Sequence, residues 1–193
     1  AAPLTTARER PSVLRLGEGD ALVAGGQGST ADFLERWAPM LTAAQRTLHT
    51  GDERVDRREG AALVAAGAGA ALALGGAVMG SAGLAAEDVL LDTRCATGGC
   101  AVLLGVRGLL TQRRRDAAAA LAEGERVVVA SGTGADGMPA DAVEVIDVSV
   151  ARTPRAGVTV ASLPYEGLSM LPLTTGSVWI AGGGRAESWL YRH

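Results

Sequence analysis

Four short apolar runs in this 193-residue chain end in a diglycine or a close variant: LVAGG at Gly26, LALGG at Gly76, VVASG at Gly132 and WIAGG at Gly183. Their marker residues, Gly25, Gly75, Ser131 and Gly182, stand 50, 56 and 51 residues apart. Repeats of this length, built from short strands punctuated by glycine, mark radial or stacked β architectures. A second glycine keeps the same register. It lies six residues before the marker at Gly19, Gly69 and Gly176, and seven before it at Gly124. Tight hairpins need positive φ, which a Cβ resists, so these glycines predict a turn between two strands of each repeat.

Each repeat then reads as strand, turn, second strand ending at the marker, glycine-rich loop and third strand. The third strand is clearest in Ala86–Asp92 and in Asp141–Val148, where VEVIDV alternates acidic and β-branched residues with period two. Weaker counterparts are Ala31–Trp37 and Ala186–His193, and Ala101–Val106 and Ala156–Leu163 suggest a fourth strand. Two stretches compete with this scheme. Ala117–Arg126 has helical propensity, and Gly60–Ala86 runs 27 residues without a charge, long enough for a membrane span. In both, the register shared with the other repeats favours strands. A third reading of the chain, as a membrane-associated protein anchored through residues 60–86, rests on that run alone.

Composition narrows the function classes. Net charge is −3 with mixed signs, which offers nothing to nucleic acid. All 18 basic residues are arginine, in keeping with an alanine- and glycine-rich sequence rather than with selection for arginine chemistry. The only histidines are His49 and His193, no GxSxG elbow is present, and GTGADG (Gly132–Gly137) lacks a P-loop ending. Asp136, Asp141 and Glu144 lack calcium-loop spacing. The sequence therefore points to no catalytic residues, no metal and no cofactor. Cys95 and Cys100, in RCATGGC, are spaced for a disulfide closing a tight loop, which suggests an exported protein.

Strand, diglycine, loop and a VEVxD strand at this spacing resemble the kelch repeat, most clearly in Arg126–Gly157 and, as the bacterial variety, in Thr6–Gly26. The resemblance implies an all-β fold, a β-propeller of four-stranded blades of the type found in the galactose-oxidase central domain. About four blades would be present: 4–50, 51–110, 111–160 and an incomplete 161–193. Few of the family's aromatic positions are filled, Trp37 and Trp189 being the best candidates. A segment of a larger propeller, a closed four-bladed ring and a ring completed by a second copy are the three ways to account for the blade number. Secreted copper oxidases of this type use tyrosine, histidine and a cysteine-linked tyrosine. Here the only tyrosines are Tyr165 and Tyr191, and the cysteines suit each other better.

One positional pattern remains. Arg8, Arg58 and Arg114 each precede their marker by 17 residues, and in the fourth repeat Tyr165 takes that place. Repeat symmetry would put them on one rim, where forked guanidinium donors could recognise an anionic glycan or a protein partner. Alternatively they pair with acidic residues of neighbouring blades, such as Glu87 or Glu144. The expected function is a non-catalytic, exported bacterial scaffold that binds protein or glycan. The rival is a segment of a carbohydrate-active oxidase, epimerase or lyase.

Overall fold

A computed structural model describes residues 4, 7–9, 11–17, 19–25, 34–39, 41, 47–48, 58–67, 69–80, 83–85, 87–94, 102–150 and 153–192. These form antiparallel sheets in chain order. The first contains β1 (Ser12–Gly17), β2 (Asp20–Ala24), β3 (Leu34–Trp37) and β4 (Thr47–Leu48). Next comes a short ribbon in which β5 (Arg58–Glu59) pairs with β8 (Ala77–Val78). The second four-stranded sheet comprises β6 (Ala62–Ala65), β7 (Ala70–Leu74), β9 (Asp88–Asp92) and β10 (Val102–Val106). The third comprises β11 (Ala118–Ala122), β12 (Arg126–Ala130), β13 (Ala142–Asp147) and β14 (Arg155–Ser162). The last has three strands, β15 (Leu168–Pro172), β16 (Val178–Gly182) and β17 (Ser188–Tyr191).

The hairpin glycines do what the register requires. Gly19, Gly69, Gly124 and Gly176 all have φ between +70° and +78°. The markers close the second strands with left-handed residues as well: Gly25 (φ 61°), Gly75 (63°), Ser131 (65°) and Gly182 (112°). Close approach adds to this at Gly75 and Gly132. A Cβ on Gly75 would strike the Arg114 carbonyl oxygen, and one on Gly132 would lie 2.5 Å from that of Arg115. Small residues at the marker thus let the second strand of one sheet pass against the chain entering the next sheet or its own.

Both competing stretches fold as strands. The uncharged run contributes β6, β7 and β8, and among the described residues no helix is long and apolar enough to cross a membrane. This removes the helical anchor expected of residues 60–86. The alanine-rich run forms β11, whose partner β12 (RVVVA) is β-branched and largely buried. Pairing and burial override a propensity worth only tenths of a kcal/mol per residue.

The core lies between sheets rather than within one. Leu22, Ala24 and Leu34 meet Leu63, Ala73 and Leu91 between the first and second. Leu72, Leu74 and Leu90 meet Val127, Val129 and Ile146 between the second and third. Val128 and Val143 meet Leu168, Val178 and Ile180 between the third and last. The first strands touch in series, β1 to β6 to β11 to β15. On the outer face of the last sheet, Leu171, Trp179 and Leu190 are direct cross-strand neighbours and all are exposed.

Candidate functional site

Because the first strands lie side by side, the turns that lead into them converge on one cleft of about 660 Å3. Its walls hold Ser12, Asp116, Thr133, Glu166 and Ser169 together with the backbone around Gly60 and Gly167. The entry turns repeat like the markers: Gly60, Asp116 and Gly167 each stand 15 residues before their marker. All three are left-handed, at φ 64°, 55° and 68°. An aspartate therefore occupies a conformation that its counterparts fill with glycine, at a cost of about 1–2 kcal/mol.

Hydrogen bonds fix these walls. The Asp116 N–H donates to the Gly60 carbonyl (2.7 Å), and the Ser12 hydroxyl donates to the Ala61 carbonyl (2.8 Å). Arg115 and Thr133 exchange backbone bonds at 3.0 and 2.8 Å. The Thr133 hydroxyl donates to Glu166 Oε1 at 3.0 Å. The cleft thus offers two carboxylates, three hydroxyls and backbone polar groups. Among the described residues no group of three or more His, Cys, Asp or Glu is arranged to hold a metal ion.

The arginines expected on a rim have buried side chains that reach back to their own markers. Arg8, Arg58 and Arg114 donate through Nη1 to the carbonyls of Gly25 (3.1 Å), Gly75 (3.4 Å) and Ser131 (3.2 Å), each 17 residues ahead. A carboxylate from the third strand faces each guanidinium. Arg8 lies 3.6 Å from Glu35, Arg114 bonds Glu144, and Asp88 feels the charge of Arg58 while accepting from the Gly75 N–H at 2.8 Å. Arg114 and Glu144 have fully buried side chains, so neither has a face left for a solvent anion. Burial pushes Asp88 above the usual aspartate range, against the Gly75 hydrogen bond and Arg58. Burial likewise pulls Arg114 down, opposed by Glu144. Each carboxylate comes from the sheet that carries the arginine's own marker, although Arg58 itself stands in the β5–β8 ribbon, and Glu87 instead meets Arg107 (2.8 Å).

The fourth repeat exchanges both partners at once. Glu35 lies opposite Val23 and Glu144 opposite Val129, in each case two residues before the marker. The matching position, opposite Ile180, holds Trp189. Tyr165, in the arginine's place, stacks on Trp189 with ring centroids 5.6 Å apart, and Arg185 caps the ring at 5.0 Å. A buried ion pair has become an aromatic stack. The carboxylates Glu35 and Asp88 and the cleft acids Asp116 and Glu166 were not singled out from sequence. An acid in the third strand of every arginine-bearing repeat was the available signal.

Residues Gly26, Cys95, Cys100, His49 and His193 lie outside the described residues, and with them the expected disulfide. Tyr165 and Tyr191 both pack into the interface between the last two sheets.

The chain is an all-β protein of successive antiparallel sheets around a polar cleft. No protein-family profile matches its sequence, and no curated protein does. Among solved structures it is similar to a novel fungal alcohol oxidase with catalytic diversity among the AA5 family, in complex with copper. The TM-score is 0.64 at 18% identity, over 94% of this chain and 39% of that one, a likeness of fold.

Proposed function

We propose that the chain is a kelch-like β-propeller segment, exported from a bacterial cell, that serves as a non-catalytic scaffold for glycan or protein, with the central cleft as its binding site. Each four-stranded sheet is a blade in this reading, and the serial contacts of the first strands mark the propeller axis. The observation that carries it is Asp116: the one entry-turn residue of the described three that is not glycine carries a carboxylate on the cleft wall despite its left-handed backbone. Strain of that kind concentrates at functional sites. Burial takes Arg8, Arg58 and Arg114 away from any anionic ligand, while two carboxylates and three hydroxyls on the cleft suit a hydroxyl-rich, neutral or amino-substituted glycan.

Titration calorimetry with neutral, amino-substituted and sulfated oligosaccharides tests this. Binding is expected for the first two classes. Asp116→Gly is expected to abolish it while leaving the fold intact, since glycine is what the sister turns use. Equal binding by Asp116→Gly, or selective binding of the sulfated set, overturns the assignment. A second reading, a segment of a carbohydrate-active enzyme, draws support from the fold likeness to the alcohol oxidase. Copper-dependent oxidation of alcohols by the purified chain would favour that reading over the scaffold.

A further inference from the structure

Glu59 and Arg115 hold the same place in successive repeats, 16 residues before the marker, and Glu9 and Glu166 hold it in the other two. The third repeat alone reverses the charge there. Both residues line one small cavity of about 160 Å3 that shares no lining residue with the central cleft. Part of its lining is a short ladder. Glu59 pairs with Ala77 and Ala77 bridges Leu84, so the three side chains stand in a row on one face. The rest comes from Arg115 and from Gly134, Ala135 and Gly137 of one turn. That turn is held by the Gly134 N–H donating to the Met138 carbonyl (2.8 Å) and the Gly137 N–H to the Gly134 carbonyl (3.1 Å). The two charges do not close on each other. Among the described residues the Glu59 carboxylate has no hydrogen-bond or ion-pair partner, and the acid that Arg115 meets is its chain neighbour Asp116, at 4.0 Å. The Ala135 N–H likewise has no acceptor among them.

We infer that this cavity binds a small aliphatic α-amino acid as its zwitterion. The ligand's ammonium group donates to the Glu59 carboxylate, and its carboxylate accepts from the Arg115 guanidinium and the Ala135 N–H. Its side chain rests against Ala77 and Leu84. A ligand of single charge would meet one attractive and one repulsive group here, whereas a zwitterion satisfies both. The volume admits only a small body. Because ladder and turn are already fixed by backbone bonds, little of the lining has to be ordered on binding. A glutamate at position 115, as in the other repeats, would put two carboxylates on the cavity and reject the ligand's own. The charge reversal in the third repeat is therefore the selective element. The site uses none of the cleft's groups and does not depend on the glycan reading.

Calorimetric titration of the full chain with L-alanine, L-alaninamide and N-acetyl-L-alanine at neutral pH tests this. Each derivative lacks one of the two charges, so L-alanine is expected to bind about tenfold more tightly than either. Arg115→Glu installs the residue of the other repeats and keeps the backbone bonds to Thr133. It is expected to switch the preference to the cationic L-alaninamide. Glu59→Gln is expected to erase the discrimination between L-alanine and N-acetyl-L-alanine. A merely structural role would weaken all three compounds alike and leave their order unchanged. Equal binding of the three by the wild type overturns the proposal, as does no binding of L-alanine. So does an Arg115→Glu chain that still prefers L-alanine.

Discussion

Replacing Arg114 by methionine removes four donated hydrogen bonds from the third sheet in one step. Three go to the carbonyls of Gln112 (3.1 Å), Ser131 (3.2 Å) and Ala142 (2.7 Å), and the fourth goes to Glu144. Glu144 keeps only the N–H groups of Thr111 (2.5 Å) and Gln112 (3.3 Å), and its side chain is fully buried. Leaving one charge of a buried pair without its partner costs about 3–5 kcal/mol. With a urea slope of about 2–3 kcal/mol per molar, the unfolding midpoint should fall by about 1–2 M. The double variant Arg114→Met, Glu144→Leu relieves the stranded charge but not the stranded carbonyls and amides, each worth about 1 kcal/mol. The expected order is wild type, then double variant, then single variant, followed by urea unfolding at neutral pH. A single variant within about 0.5 kcal/mol of wild type would show that the ion pair contributes nothing. A double variant no better than the single one would refute the coupling.

Gly75→Ala and Gly124→Ala impose the same left-handed strain, at φ 63° and 70°, but only the Gly75 substitution places a Cβ on a carbonyl oxygen. Gly124→Ala should cost about 1–2 kcal/mol and Gly75→Ala at least ~2 kcal/mol more, read as denaturation midpoints. Asp88 supplies a pH signature. Its raised pKa means that the folded state holds a proton more tightly than the unfolded chain does. The stability this contributes is full below the ordinary aspartate value near ~4 and is lost as pH rises through the folded value. Measured against Asp88→Asn, wild type should therefore lose ground as the pH climbs from about 4 towards neutrality, and a flat difference would contradict the burial argument.

The fold was legible because backbone conformation leaves marks in sequence. Gly19, Gly69, Gly124 and Gly176 are needed where φ is positive, and their spacing located the hairpins that β11 and β12, or β6 and β7, then formed. Even the alanine run of β11 was placed by register where local propensity pointed to a helix. The site was less legible, for a geometric reason. The 17-residue spacing of Arg8, Arg58 and Arg114 was visible, but spacing cannot say whether a guanidinium points outward or folds back on its own marker carbonyl. Burial and the third-strand acids decide that, and those acids sit after loops of unequal length. Asp116 was hidden for a related reason: its counterparts Gly60 and Gly167 look like ordinary turn glycines until their shared position on the cleft is seen.

Arg8, Arg58 and Arg114 each find a counter-charge within their own repeat. A duplicated unit of this kind would arrive electrically neutral at its centre, needing only apolar faces to dock against what came before. Tandem copying could therefore lengthen such a protein without stranding a charge, and a copy such as the fourth was free to trade its ion pair for stacked rings.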